Sequence, residues 1–269
     1  VRDPSAKPGS SRPPTPRGNG PHPIRRVQTG PLPEFTYDPP PGDPPIIHAE
    51  DGFVVVDKPT GLLAVPGIAE GKDDCVRSRV AAMFPHATGP MTCHRLDLST
   101  SGVMILALDA KTHSELSKQF EFRKTRKRYV ALVEGHLDRD EGEIHAPMRK
   151  DMEVRPLMLV DYVEGKPSKT RFRVLSRETW EGRPVTRVQM EPFTGRTHQL
   201  RVHAAHPRIT TVGTPLPGPE HTPGLDAPIV GDELYSGWPA PRLMLHASML
   251  TVFHPVTGQS LTFRAKDPF

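Results

Sequence analysis

Lys169-Thr-Arg-Phe-Arg-Val-Leu175 and Val185-Thr-Arg-Val-Gln-Met-Glu191 decide the fold class. In the first stretch Thr170, Phe172 and Val174 face one way and Lys169, Arg171 and Arg173 the other, the period-two pattern of a half-buried strand. In the second, Thr186, Val188 and Met190 make the apolar side, and the intervening Arg177–Pro184, with Gly182, reads as a hairpin loop. Working outward, Phe53-Val-Val-Val-Asp57 and Val103–Leu108 are short continuous apolar runs, as expected of buried strands. Arg128–Val133, Met249–Phe253 and Ser260–Phe263 add three more strands, the last two joined through Pro255 and Gly258. Helices are fewer. One is capped by Asp73 or Asp74 and runs to about Phe84; one is capped by Asp109 and carries His113, Leu116 and Phe120 on one face; one spans Thr197–Ala205 and stops before Pro207. Strands that outnumber helices, with several hairpins, predict an α+β class: a single catalytic domain with a central mixed, mostly antiparallel sheet flanked by helices.

Composition bounds what this domain can be. Of the 33 prolines, 14 fall in residues 1–45, a segment also rich in Gly, Ser and Arg and nearly free of apolar side chains. Such a chain cannot offset the entropy of ordering, so 1–45 is expected to be a disordered tail, basic over its first 30 residues, and 46–269 the folded body. The stretch 211–228, with five prolines and three glycines, reads as an insertion loop on the body's surface. No apolar run approaches the roughly 20 residues of a membrane span, and no apolar leader precedes the tail, so neither membrane nor secretion is expected. Two cysteines, Cys75 and Cys93, exclude a disulfide framework and fit a reducing, cytoplasmic setting. The sequence contains no phosphate-binding P-loop, no dinucleotide glycine fingerprint and no serine-hydrolase elbow.

Three segments carry chemistry. In His94-Arg-Leu-Asp-Leu-Ser-Thr-Ser-Gly102, Asp97 lies between two leucines on a segment entering the core. A carboxylate in an apolar niche can act as nucleophile or base, although on position alone an aspartate capping the following turn is the plainer reading. In Gly195-Arg-Thr-His-Gln-Leu-Arg-Val-His203, Arg201 shares a helix face with Thr197 and His198 and suits pairing with a buried carboxylate; an exposed helix arginine is the commoner alternative. His198 and His203 stand about 140° apart around a helix, so with His206 they do not form a metal site. Arg123-Lys-Thr-Arg-Lys-Arg128, ahead of Tyr129, suits either a solvated loop or phosphate contact, and Tyr129 either core packing or stacking on a base.

Taken together in order, these motifs resemble the RluA family of RNA pseudouridine synthases. Asp57-Lys-Pro-Thr-Gly61, His94-Arg-Leu-Asp-x-x-Thr-Ser-Gly102, Lys127-Arg-Tyr-Val-Ala-Leu-Val-Glu-Gly135, Gly195–His203, Ile229-Val-Gly-Asp-Glu-Leu-Tyr235 and Arg242-Leu-Met-Leu-His-Ala247 cover nearly the whole body. The resemblance implies that Asp97 is the catalytic aspartate, that Tyr129 packs on the target base, and that Arg201 pairs with Asp97. It also implies that Arg95 holds the place of the flipped-out nucleotide and that Leu200 lines the pocket. Many relatives carry an N-terminal S4 RNA-binding domain, which 45 proline-rich residues cannot form. The short form, with Arg155-Pro-Leu157 and Gly165-Lys-Pro167, implies isomerisation of uridines in tRNA and/or 23S ribosomal RNA by a monomer needing no cofactor. Lys169, Arg171 and Arg173 are expected to contribute a cationic ribbon to RNA binding, with a solvated face as the alternative. Competing functions are a catalytically silent RNA-binding or folding module on the same scaffold and a metal-dependent hydrolase built on the histidines.

Overall fold

A computed structural model describes residues 36–207, 211–212 and 221–269. In chain order the elements are β1 (Ile46–Glu50), β2 (Phe53–Lys58), α1 (Val76–Met83), β3 (Ser101–Ala107), α2 (Ala110–Glu121), β4 (Arg126–Glu134), β5 (Glu141–His145) and β6 (Met148–Lys150). They continue with β7 (Met158–Asp161), β8 (Lys169–Trp180), β9 (Arg183–Pro192), α3 (Gln199–Ala205), β10 (Thr211–Val212), β11 (Leu245–Phe253) and β12 (Ser260–Arg264). One sheet runs β1-β2-β3-β11-β4-β9-β8-β5, with β12 also on β11; a small sheet joins β10, β7 and β6. Within the large sheet only the β3–β11 contact is parallel, so the mixed, mostly antiparallel sheet expected of an α+β domain is present.

The unbroken apolar run in β3 has a physical cause: both faces of that strand are covered. Met104 and Leu106 pack with Val76 and Val80 of α1, while Val103, Ile105 and Ala107 pack with Leu116 of α2 and with Leu250, Val252 and Phe263. A strand with no solvent face has no reason to alternate. Strand β8 is the opposite case. Phe172 is buried while Arg171 and Arg173 are exposed, because only one of its faces meets the core.

Local chemistry moves several boundaries. Helix α1 is capped by Cys75, not Asp73 or Asp74. The Ser78 N–H donates to Cys75 Sγ at 3.4 Å and the Cys75 N–H to Ser78 Oγ at 2.9 Å. Asp74 is instead drawn into a two-bond pair with Arg79, both contacts 2.7 Å. Helix α2 begins at Asp109, whose carboxylate accepts from the Thr112 N–H at 2.9 Å. Helix α3 starts at Gln199, two residues later than its sequence pattern indicates, because His198 adopts a left-handed φ of 54°. Strands β8 and β9 extend through the stretch read as a hairpin loop and turn tightly at Glu181–Gly182, both at positive φ, as a two-residue primed turn requires.

Residues 36–45, read from composition as part of the tail, lie against the body. The Tyr37 hydroxyl donates to the Asp74 carbonyl at 2.7 Å, and the Asp57 N–H bonds the Pro45 carbonyl at 2.8 Å. The rest of the tail lies outside the described residues. In the stretch read as a surface insertion, Thr211–Val212 pair with β7, and Leu225 and Ala227 are buried with their N–H groups on carbonyls of α3. Residues 208–210 and 213–220 lie outside the described residues. Among the described residues no helix is long and apolar enough to cross a membrane.

Candidate active site

The segment bearing Asp97 feeds directly into β3, and its placement depends on Gly102. That residue sits at φ 113°, and a Cβ there would collide with the backbone of Ala247 on β11. Glycine therefore lets β3 and β11 meet side by side, with Ser101 opposite His246. Just upstream, the Thr100 N–H bonds the Asp97 carbonyl at 3.1 Å, so it is the backbone of Asp97 that closes the turn. Its half-buried carboxylate makes no hydrogen bond or ion pair among the described residues, unlike a turn-capping side chain.

That carboxylate lines a cavity of about 440 Å³ together with Arg95, Tyr129, Leu200 and Arg201. Five expected site residues thus converge from three separate segments, within the size range of small-ligand sites. A larger hollow of about 690 Å³, lined by Tyr37, Trp238 and Arg242 among others, contains none of the five. Burial, and then the neighbouring Asp97 charge, push the Tyr129 phenol above its ordinary range, so it stays protonated. Its ring packs on core residues from both sides of β4.

Arg201 does not pair with Asp97. Its guanidinium forks onto Asp232, Nε to Oδ2 at 2.8 Å and Nη2 to Oδ1 at 2.6 Å, and both side chains are almost wholly buried. Asp232 Oδ1 also accepts from the Leu234 and Tyr235 N–H groups at 3.0 and 3.2 Å. A planar fork is best satisfied by two oxygens of one carboxylate, and the Gly231–Tyr235 turn supplies them preorganised. Burial opposes the Arg201 charge, but Asp232, with a smaller contribution from Asp97, more than offsets it and raises the guanidinium's pKa. Arg201 therefore faces Asp97 as a fixed, already neutralised cation.

His198 belongs to the same wall. The buried Tyr235 hydroxyl accepts from the Met158 N–H at 2.8 Å and lies 2.9 Å from His198 Nδ1. With its oxygen already accepting, the hydroxyl satisfies its own proton by donating to Nδ1, which leaves the imidazole proton on Nε2. Burial lowers the His198 pKa against the opposing pull of Asp97, so the ring is a neutral donor at the cavity. The other histidines of the sequence motifs are structural. His94 Nε2 accepts from the Ile105 N–H at 3.1 Å and the ring stacks on Phe120 at 4.3 Å. His203 bridges Thr170 and the Ala146 carbonyl, and His206 bonds the Tyr162 hydroxyl.

Sequence reasoning passed over two supporting residues, Asp232 and Lys58. Lys58 is completely buried at the end of β2 and donates to the carbonyls of Pro59, Leu62 and Leu98, the last at 2.9 Å. Burial lowers its pKa to about 7 against the opposing influence of Asp97. It ties the residue after Asp97 to the sheet. The available signal was a lysine closing an otherwise apolar strand. By contrast, the ribbon of Lys169, Arg171 and Arg173 lies outside the cavity and is not a free cationic face. β5 sets a glutamate beside each: Glu143 contacts Lys169 at 2.8 Å and Arg171 at 3.1 Å, and Glu141 contacts Arg173 at 3.4 Å.

Residues 52–206 match the RNA pseudouridylate synthase family, a span that holds Asp97, Tyr129, Leu200 and Arg201. The chain is 41% identical over 228 residues to the dual-specificity RNA pseudouridine synthase RluA of Haemophilus influenzae, covering 83% of this chain and 93% of that protein. The chain belongs to the RluA family of RNA pseudouridine synthases. It is accordingly an isomerase that modifies RNA. RluA of Escherichia coli is 39% identical over the same shares of both chains, and RluA of Vibrio parahaemolyticus 43% identical over 80% of this chain and 81% of that one. Among solved structures, human RNA pseudouridylate synthase domain containing 1 superposes with a TM-score of 0.67 at 30% identity, covering 86% of this chain and 87% of that one. The structural likeness thus covers more of the chain than the 52–206 span that matches the family.

Proposed function

We propose that this RluA-family enzyme isomerises uridines in tRNA and/or 23S ribosomal RNA, with Asp97 as the reacting carboxylate and the target base flipped into the 440 Å³ cavity. One observation carries the assignment: Asp97 is a carboxylate left without a partner in a cavity lined by five cationic side chains and one other carboxylate, Glu121. A base inside a stack cannot reach a recessed carboxylate, so it has to leave the stack. Tyr129 offers its ring to the base, Arg201, held in place by Asp232, presents an oriented guanidinium beside Asp97, and Arg95, exposed at the cavity, takes the vacated place in the RNA.

The reaction breaks the bond between C1′ and N1 of uridine, with the electron pair going to N1, turns the base, and forms a bond between C1′ and C5; C5 then gives up its proton and N1 takes one up, so the product is an isomer. Asp97 can add to C1′ or take a proton from the sugar to give a glycal, and either route uses one ionised carboxylate. Atoms are rearranged within one nucleotide with no net change of oxidation state, so the scheme calls for no cofactor. The site is complete within one chain, which fits a monomer, and the RNA targets fit a cytoplasmic location.

Tritium release from 5-labelled uridine in tRNA and 23S ribosomal RNA transcripts tests this. Release from either RNA is expected, and Asp97→Asn should lower the single-turnover rate by at least about 10³-fold while RNA binding and thermal stability stay near wild type. Tight binding without release by the wild type would identify a silent binding module. Near-wild-type release by a folded Asn variant would remove Asp97 from the reaction.

A further inference from the structure

Strand β4 carries alternating cations whose two faces are treated differently. Arg126 and Arg128 point to one side, where both meet Glu191, at 3.3 and 2.6 Å. Lys127 and Tyr129 point to the other, into the cavity. Lys127 has no hydrogen bond or ion pair among the described residues, although it is half-buried. Its ammonium lies against the turn before α3: a Cβ built on Gly195 would be 3.9 Å from Lys127 Nζ. The next residue, Arg196, is also half-buried and lines the same cavity, and its Nε is buried with no hydrogen-bond partner. Arg123 completes the group, close enough to Lys127 that, after burial, it is the next cause of the ammonium's lowered pKa. Lys127 and Arg196 are half-buried cations with no carboxylate partner among the described residues, the exposed Arg123 adds a like charge beside Lys127, and an anion would complete the group.

We propose that Lys127, Arg196 and Arg123 form a subsite for one phosphodiester flanking the target uridine. The inference rests on the RNA-modifying function above and adds the group that fixes the RNA's register at the cavity. Lys127 and Tyr129 are two residues apart on one strand, about 6.8 Å, a separation a single nucleotide spans between its base and its phosphate. A phosphate at Lys127 and a base at Tyr129 therefore belong to one nucleotide or its immediate neighbour. Arg196 can fork onto the phosphate while Lys127 acts as a point charge.

The test pairs protein variants with a neutral linkage in the RNA. Synthetic hairpins taken from tRNA and 23S ribosomal RNA carry a methylphosphonate at one or the other phosphate flanking the target uridine. With wild-type protein, one of the two positions should weaken binding about tenfold, as expected for loss of a charge-assisted contact. Lys127→Gln and Arg196→Gln should each weaken the unmodified hairpin by a similar factor and show little further loss, under about twofold, with the neutral linkage. Lys127→Arg should restore most of the affinity. Losses from protein and RNA that multiply at both positions, or a wild type indifferent to both linkages, would overturn the subsite. Should Lys127→Gln fail to fold, Arg196→Gln and the wild type's response to the linkage decide alone. Pseudouridine absent from every hairpin would count against the RNA targets, and the binding cycle on whichever hairpin is bound would still judge the subsite.

Discussion

The molecule holds two arrays of cations that look alike in the sequence and differ in what stands opposite them. On β8, Lys169, Arg171 and Arg173 alternate with apolar residues, but Glu141 and Glu143 of β5 lie across the ladder and occupy them. Around the cavity, Arg95, Arg123, Lys127 and Arg196 come from three unrelated segments and meet no carboxylate partner among the described residues. A regular cationic stripe is thus neutralised by its neighbour strand, while an irregular scatter of cations gathers into a site. Period-two spacing reports which face a side chain takes; it says nothing of the charge on the facing strand. Arg201 is a third state, a cation inside the cavity wall but fully matched by Asp232.

The largest effect should come from breaking that matched pair. Arg201→Ala leaves Asp232 buried and unpaired, and is expected to cost about 3–5 kcal/mol of stability, read by denaturant unfolding. Adding Asp232→Leu should recover part of the loss, whereas adding Asp97→Ala should recover none. Recovery through Asp97 would restore the pairing inferred from family resemblance and place Asp232 in a secondary role.

Neutralising the two cation arrays separately should sharpen the contrast. Arg95→Gln with Arg123→Gln is expected to weaken hairpin binding and to reduce the log–log salt slope by about 1.4, at roughly 0.7 per phosphate on single-stranded RNA. Changing Lys169, Arg171 and Arg173 together to Gln should leave that slope within about 0.3 of wild type. A larger slope change from the ribbon than from the cavity would reverse the assignment. The smallest expected effect is a gain: Glu141→Gln with Glu143→Gln uncovers the ribbon, and should raise non-specific RNA affinity by about two- to fivefold at low salt and by nothing at high salt. Unchanged affinity at low salt would mean the ribbon is inert even when freed.

The strands were legible because their burial is written in their period: β8 alternates since one face is wet, and β3 does not since α1 and α2 cover it. Boundaries were less so. Nothing in the residue types marks Cys75 ahead of two aspartates as the cap of α1, since the choice depends on Asp74 being engaged by Arg79. Asp97, Tyr129 and Arg201 were singled out through motif order, and the fold places all three on the lining of one cavity. The partner of Arg201 was misjudged because it comes from a turn brought to the site by long-range contacts, among them the backbone bonds from Val230 to Leu132 and from Met244 to Val230. The pairing of β8 with β5 was hidden for the same reason: Glu141-Gly-Glu-Ile-His145 shows a single buried apolar residue and no strand pattern of its own.

The parallel contact between β3 and β11 carries a consequence for the order of events during synthesis. Ser101 and His246 lie 145 positions apart, yet their pairing sets the strand that leads from Asp97. When the signature segment leaves the ribosome, neither Asp232 nor β11 has been made. A nascent chain therefore carries Asp97 through the whole stretch from residue 97 to residue 232 without the wall that gives it an environment. Such long-range closure is slow relative to local hairpins. Because β11 lies between β3 and β4, a chain that ends before that strand lacks the element joining the two strands that hold the cavity, and is expected to be inert as a catalyst.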